Sequence, residues 1–328
     1  MPQIASLGTV SSLKGKAGVR GSGTYLMTHS EERIGQSGKR YRKLVLDDST
    51  GRVQGFIWPE SQPYVANTAH PCLVTVSASV QIFNNEHQLR VEALAPASAE
   101  LITRATDFFS HQHCPSAALP GLTRLAQLEN ELPEPLSGFL RNVLLDPELG
   151  FPFLRCRASV KHHHSAVGGL LMHSTEMLQV AADLTRKTIP NDEWSPFVAQ
   201  LSYLLHDMGK IRSVGELSRS AYGLVVRHEQ LTHELLAPHL RWLERRDPRL
   251  ANALRYVICY LATPAKGRGV ADYVVAEIVE MLDQLSAASH NQRDISHLLT
   301  GAGRANFRQS SQSHLMSVPA SSQALRAQ

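Results

Sequence analysis

The chain has 328 residues, of which 43% are hydrophobic and 19% charged, a composition typical of globular proteins and a length sufficient for about two domains. Its apolar runs are shorter than the ~18 residues of a membrane helix, and its first residues lack a signal-like apolar stretch, so we expect a cytoplasmic protein without membrane segments. Four cysteines without a CxxC pair argue against a disulfide framework. A net charge of +4 permits an anionic partner but does not require one.

Residues 23 to 94 contain five segments typical of strands, separated by turn-forming stretches such as "DDSTG" and "NNE". The connection between the third and fourth segments is wider than the others. Five strands in this arrangement predict a small β-barrel of the OB type, which we assign to residues 1 to 98.

The second hairpin of this barrel has two chemically different faces. Strand alternation places the apolar residues Leu44, Leu46, Val53 and Ile57 on one side. Aromatic and basic residues share the other side: Tyr41, Lys43, Phe56 and Trp58. Aromatic rings beside cations on an OB barrel are typical of single-strand nucleic-acid binding, although the same rings would also suit packing against a neighbouring domain.

The remaining chain is predicted to be helical. Prolines interrupt residues 99 to 154, which indicates a connector of short helices, whereas residues 155 to 290 read as longer helices. Residues 291 to 328 are rich in Ser, Gln, Ala and Arg and predict a disordered tail. The expected fold class is therefore α+β multidomain, with a five-stranded barrel followed by an all-α domain.

The string "LSYLLHDMGK" places His206 and Asp207 at the end of an apolar helix that begins near Ser195, the expected N-cap, and stops at Gly209. His173 falls on the inward face of an earlier helix, and Asp283 interrupts the apolar side of a later one. Burying such groups is costly unless they are paired or bind a metal. Nitrogen and oxygen ligands from three helices could converge on one divalent cation.

Each of these residues also has a simpler interpretation. A single histidine on an apolar helix face is usually a core residue, and an aspartate near a helix end is usually solvated. Their joint order within the strings "GGLLMHS" and "LLHDMGK" favours metal binding.

The order His173, then His206 and Asp207, then Asp283 resembles the HD-domain metal-dependent phosphohydrolases over about residues 155 to 290. The strings "HHHSAVGGLLMHS" and "LLHDMGK", following a barrel, are similar to the bacterial 3′-5′ exoribonucleases that join an OB fold to an HD domain. The stretch "FLRCRASVKHHHSAVGGLLMHSTEMLQVA" is at least as similar to the TraI-like HD family of conjugative elements, which includes relaxases.

This resemblance implies roles for individual residues. It implies four metal ligands: His173, His206, Asp207 and Asp283. It makes Asp207 and Lys210 the catalytic pair, with Lys210 contacting a phosphate oxygen, and it matches His233 to a histidine that some members use for a second metal. It also matches His163 and His164 to paired histidines near the substrate. The exonuclease group has a further histidine pair where this chain reads "VICYLATPAKGRG", which puts a second metal site in doubt.

The function implied is a metal-dependent phosphodiesterase acting on single-stranded RNA or DNA, in the first place a 3′-5′ exonuclease. Manganese is the first candidate cation, with Mg, Fe, Co, Ni and Zn as alternatives. Two other functions stay open: a TraI-like relaxase or DNA-processing protein of a mobile element, and a non-catalytic nucleic-acid-binding protein with a relict HD site. The sequence leaves the oligomeric state open.

Overall fold

The computed structural model describes residues 5–64, 70–97, 102–109, 112–161, 164–264, 266 and 268–290. The tail predicted to be disordered, 291 to 328, lies outside the described residues. No helix within the described ranges is long and apolar enough to cross a membrane.

The described N-terminal residues form one sheet of six strands. These are β1 Ala5–Ser6, β2 Arg20–Ile34, β3 Arg40–Asp48, β4 Gly51–Ile57, β5 Cys72–Phe83 and β6 Glu86–Pro96. The strand order is β1-β2-β3-β4-β6-β5, and β2 also pairs with β5, so strands β2 to β6 close into a barrel. Strands β4 and β6 are parallel. This closure is that of the OB fold and confirms the predicted barrel; only β1, a two-residue strand parallel to β2, was not expected.

The barrel core follows the predicted alternation. The four apolar residues of the second hairpin, Leu44, Leu46, Val53 and Ile57, are all buried. The turn between β3 and β4 is closed by Asp48, whose carboxylate accepts hydrogen bonds from the backbone N–H of Thr50 at 2.8 Å and of Gly51 at 3.2 Å. An aspartate that binds its own turn in this way accounts for the hairpin at "DDSTG".

Ten α-helices follow the barrel in the described ranges. They are α1 Leu119–Glu131, α2 Leu136–Leu145, α3 Gly150–Arg155, α4 Gly169–Glu176, α5 Leu178–Thr188, α6 Ser195–Leu205, α7 Lys210–Ser213, α8 His228–Glu244, α9 Pro248–Ala262 and α10 Val275–His290.

The start of α6 differs from the prediction in detail. Ser195 is the first helical residue rather than the cap. Asp192 takes the capping role, since its carboxylate accepts hydrogen bonds from Trp194 N at 2.9 Å and Ser195 N at 3.0 Å. An acidic residue before a helix satisfies N–H groups that have no partner within the helix.

One hydrophobic core extends through the helical region. Leu125 of α1 and Phe139 of α2 belong to the same buried cluster as Leu171 of α4 and Leu204 of α6. The segment 99 to 154, predicted as a connector, thus supplies helices to this core. The boundary at residue 155 stays a prediction.

The barrel contacts the helical region through an apolar cluster and a buried hydrogen bond. Leu26 of β2 packs with Ile102 and Phe108. The fully buried carboxylate of Asp47 contacts His113 Nε2 at 2.9 Å and is bound in bidentate fashion by Arg52 at 2.7 and 3.0 Å. A buried carboxylate with this many donors is well compensated.

Candidate metal centre

The glycine pair of "GGLLMHS" positions His173. Gly168 has φ of +82°, a conformation that glycine adopts without strain. A Cβ on Gly169 would lie 1.9 Å from the carbonyl oxygen of His164, so only glycine lets that backbone approach the start of α4. His173 lies one turn further along α4 and is fully buried.

Gly209, which follows "LLHD", also allows a close approach of two backbone segments. Its φ of −61° is helical, so it is not the left-handed glycine that commonly ends a helix. A Cβ at this position would lie 1.9 Å from the carbonyl oxygen of His228. Gly209 N donates to Thr232 Oγ1 at 2.8 Å, and Thr232 Oγ1 donates to His206 O at 3.0 Å. The glycine therefore lets the first turn of α8 pack against the His206–Asp207 segment.

The four predicted ligands converge. His173 Nε2 lies 3.2 Å from Asp207 Oδ2 and 3.2 Å from Asp283 Oδ1. His206 Nε2 lies 3.3 Å from Asp207 Oδ2 and 3.5 Å from Asp283 Oδ1. One donor atom from each residue lies within 4.8 Å of all the others. Three separate segments thus present two imidazoles and two carboxylates to one point.

The protonation pattern of His206 suits a metal ligand. Its Nδ1 lies 2.7 Å from the carbonyl oxygen of Tyr203, and a carbonyl only accepts, so Nδ1 must carry a proton. A neutral His206 ring therefore has its lone pair on Nε2, which faces Asp207 Oδ2 at 3.3 Å and Asp283 Oδ1 at 3.5 Å. A divalent cation between these atoms would stabilise an imidazole lone pair that meets two carboxylates, and this donor set fits such a cation.

Electrostatics in the metal-free protein point the same way. Burial disfavours a charged His173, but hydrogen bonds to Asp207, Asp283 and Glu176 raise its pKa to about 11. Burial likewise opposes charge on His206, and the adjacent Asp207 and Asp283 raise its pKa to about 9. The pKa values of Asp207 and Asp283 are lowered by these histidines, against the effect of burial. At neutral pH both imidazoles therefore hold extra protons among the carboxylates, and a divalent cation that binds here would take the place of those protons.

Lys210 adds a fixed positive charge. Its Nζ lies 2.5 Å from Asp207 Oδ2, and its side chain is only 16% exposed. Burial lowers the pKa of this ammonium, but the charge of Asp207 outweighs it and raises the pKa overall. Lys210 therefore stays charged at the edge of the ligand cluster.

The structure places His228, rather than His233, beside the cluster. His228 Nε2 lies 3.0 Å from Asp207 Oδ1, on the side of the carboxylate opposite to His173 and His206, and its side chain is 33% exposed. His233 is exposed. The two residues are five positions apart on α8, so their side chains point in directions about 140° apart. The role of His233 as a ligand stays a prediction.

Of the two histidines assigned to substrate, His163 lies outside the described residues. His164 Nε2 lies 3.3 Å from Glu176 Oε2, and its ring centroid is 5.8 Å from that of His173. His164 thus lies beside the ligand cluster, and substrate contact by either histidine stays a prediction.

The aromatic residues predicted for substrate binding meet on the barrel surface. The Tyr41 ring centroid lies 5.2 Å from that of Trp58 and 6.1 Å from that of Phe56. All three rings and Lys43 are partly exposed. In the described residues none of these rings belongs to the buried apolar clusters that include helices of the second region, and their role in substrate binding stays a prediction.

Two residues near the centre, Glu176 and Ser286, escaped the sequence analysis as site residues. Glu176 is one turn after His173 on α4, and Ser286 is one turn after Asp283 on α10. Spacing of three residues from a ligand on the same helix was an available signal for both.

Comparison with known proteins finds no family model that matches this chain. Bacterial exoribonucleases are its curated relatives. A protein named 3'-5' exoribonuclease YhaM from Halalkalibacterium halodurans is 24% identical over 193 residues, which cover 58% of each chain. The protein of the same name from Bacillus subtilis is 24% identical over 264 residues, covering 71% of this chain and 81% of the relative.

The chain thus spans 58% of the first relative's length. A solved structure, the crystal structure of a domain of replication protein A from Methanococcus maripaludis, is 16% identical, covers 29% of this chain and 97% of its own, and has a TM-score of 0.24. The relatives agree with the resemblance to OB-plus-HD exoribonucleases. They add no support for the TraI-like assignment.

Proposed function

We propose that this protein is a metal-dependent phosphodiesterase that degrades single-stranded nucleic acid as a 3′-5′ exonuclease. The observation that carries the proposal is the convergence of the donor atoms of His173, His206, Asp207 and Asp283 to within 4.8 Å of one another in a largely buried site. The names of the curated relatives support the same reaction.

In this proposal, His173, His206, Asp207 and Asp283 hold one divalent cation, with manganese as the first candidate. When bound, the cation supplies Lewis-acid activation of water and of the phosphodiester. The protein contributes the geometry, because the four residues come from α4, α10 and the segment directly after α6, and His173, His206 and Asp207 are buried before the ion binds. Such preorganisation removes a reorganisation cost from the reaction.

Lys210 and His228 complete the reaction site in this proposal. The Lys210 ammonium, held beside Asp207, neutralises charge on a non-bridging phosphate oxygen. His228 contacts the other Asp207 oxygen and is partly exposed, so its imidazole can exchange protons with solvent and with a departing oxygen.

The barrel provides the second part of the proposed function. Tyr41, Phe56 and Trp58 form a sequence-independent stacking surface, and Lys43 offers a contact to phosphate. Stacking of this kind selects unpaired bases, because bases in a duplex have no free faces. We therefore propose that the barrel binds the single strand whose end enters the metal centre.

The test uses single-stranded RNA and DNA labelled at the 5′ end, incubated with the full chain and each candidate metal in turn. We expect a ladder of 5′-labelled products that shorten with time, and no products in the presence of EDTA. Asp207→Asn should abolish hydrolysis, whereas the matched surface variant Asp183→Asn should retain it, since Asp183 is half-exposed on α5.

Three other outcomes contradict the proposal. Binding without hydrolysis under every metal would indicate the non-catalytic alternative. A single cut with protein covalently attached would indicate the relaxase alternative. Internal cleavage of a strand blocked at its 3′ end would exclude an exonuclease acting from that end.

A further inference from the structure

Ser286 and Glu176 lie behind His173, on the side away from the carboxylate ligands. His173 Nδ1 is 3.1 Å from Ser286 Oγ and 3.5 Å from Glu176 Oε1. The Ser286 hydroxyl also donates a hydrogen bond to Glu176 Oε1. Ser286 is fully buried, so water does not compete for these bonds.

The direction of these hydrogen bonds follows from the chemistry of the groups. An ionised glutamate only accepts hydrogen bonds, so the single Ser286 proton points to Glu176. Ser286 Oγ can then only accept from His173, which requires a proton on Nδ1 of the imidazole. The lone pair of the neutral ring is consequently on Nε2, the atom that faces Asp207 and Asp283 at 3.2 Å.

We infer that Glu176, acting through Ser286, is a positioning residue that fixes His173 in the tautomer able to bind the metal. This inference rests on the metal-dependent function proposed above. The hydrogen-bonded chain Glu176–Ser286–His173, here called the relay, is held in place by neighbouring groups. His164 Nε2 lies 3.3 Å from Glu176 Oε2. The Tyr203 hydroxyl donates to His173 O at 3.2 Å.

His164, His173 and Glu176 could alternatively form a metal site of their own, since their donor atoms lie within 4.8 Å of one another. The position of Ser286 favours the relay. Its hydroxyl contacts both His173 Nδ1 and Glu176 Oε1 more closely than these two atoms contact each other. A cation bound there would have to displace this hydroxyl.

Glu176→Gln tests the relay most sharply, because it preserves shape but adds an N–H donor. The glutamine amide can donate to Ser286 Oγ, which frees the serine proton to point at His173 Nδ1 and so favours the tautomer with a proton on Nε2. We expect binding of Mn²⁺, measured by calorimetry on the full chain, to weaken about 10- to 100-fold, the range for partners that orient metal ligands. Ser286→Ala should weaken it within the same range.

The control is Ser202→Ala, which also removes a fully buried serine hydroxyl in the helical region but leaves the relay intact. It should retain wild-type affinity. A spectroscopic measurement separates positioning from general loosening: in the Co²⁺-loaded protein, the exchangeable Nδ1–H signal of ligated His173 should be protected from D₂O in the wild type. In Glu176→Gln that protection should be lost while the unfolding free energy stays near that of Ser202→Ala.

The outcomes are distinguishable. A wild-type chain that binds no divalent metal would overturn the proposed function together with the relay. Wild-type affinity and wild-type proton protection in Ser286→Ala, which has no hydroxyl to accept from His173 Nδ1, would overturn the relay alone. Two bound equivalents in the wild type, one of them lost in Glu176→Gln, would show that Glu176 is a metal ligand instead.

Discussion

Replacing Asp207 with asparagine should destabilise the metal-free protein through Lys210. The Lys210 side chain is 16% exposed and its ammonium lies 2.5 Å from Asp207 Oδ2. Removing one partner of a buried ion pair costs about 3–5 kcal/mol, because the remaining charge is uncompensated. The negative charge of Asp283 also stabilises the Lys210 ammonium. We therefore expect the free energy of unfolding to fall by about 3 kcal/mol, the lower end of this range. In a Lys210→Met background the same substitution should cost about 2 kcal/mol less, a coupling typical of contacting residues.

The measurement is urea unfolding at pH 7 in EDTA, for the wild type, both single variants and the double variant. A Trp58→Phe background restricts the fluorescence signal to the helical region, because Trp194 and Trp242 lie there. Asp183→Asn is the control, and its exposed ion pair should contribute less than about 1 kcal/mol.

The reasoning would be refuted if the two single substitutions were additive within about 0.5 kcal/mol, the scatter expected for independent sites. Lys210 would then be stabilised by solvent rather than by Asp207. If Asp207→Asn does not fold at all, recovery of folding in the double variant gives the same information.

Three further predictions concern binding and pH. Phe56→Ala or Trp58→Ala should weaken single-strand RNA binding in EDTA by about 1–3 kcal/mol per ring, measured by fluorescence anisotropy; loss of the barrel's β-sheet circular dichroism would show instead that the rings are structural. Calorimetry should find one tightly bound metal ion per chain and a second, weakly bound ion whose binding is lost in His228→Ala. Two tightly bound ions that both remain in His228→Ala would contradict the assignment of a single tight site. The pKa of His206 rises on folding from 6.5 to about 9, so the folded state binds the extra proton. The contribution of His206 to metal-free stability should therefore be complete below about pH 6.5 and decline by roughly 3 kcal/mol through pH 9. His173, whose pKa rises to about 11, should add to this decline, and a denaturation midpoint that rises over this range would contradict the prediction.

The sequence predicted the barrel because strand alternation is a local signal. Leu44 and Val53 had to face the same side once their strands formed a hairpin, and the turn at Asp48 is coded within five residues. The two-residue strand β1 carries no such pattern, since its pairing with β2 depends on a chain segment sixteen residues away.

The ligand cluster was partly predictable for a different reason. Helical spacing put His173 and Asp283 on inward faces, and the motif order suggested that they meet. The approach of α8 was not predictable, because it depends on contact between Gly209 and the backbone of His228. That contact decides which of two nearby histidines reaches Asp207. The direction of the hydrogen bonds through Ser286 was not predictable either, because it depends on the relative positions of side-chain atoms on α4 and α10.

The buried Asp47 at the junction has a mechanical consequence. Its carboxylate is shared between Arg52 of the barrel and His113 of the segment leading to α1. Sliding one region past the other would break the contact between this carboxylate and His113 and would separate Leu26 from Ile102 and Phe108. Arg52 and Thr28 of the barrel would still donate to Asp47. Losing a buried hydrogen bond and exposing an apolar cluster is unfavourable, so the junction resists shear. Under the proposed function, the protein then sets the distance between the aromatic surface and the ligand cluster, and a strand bound at both places must adapt its own backbone to that distance.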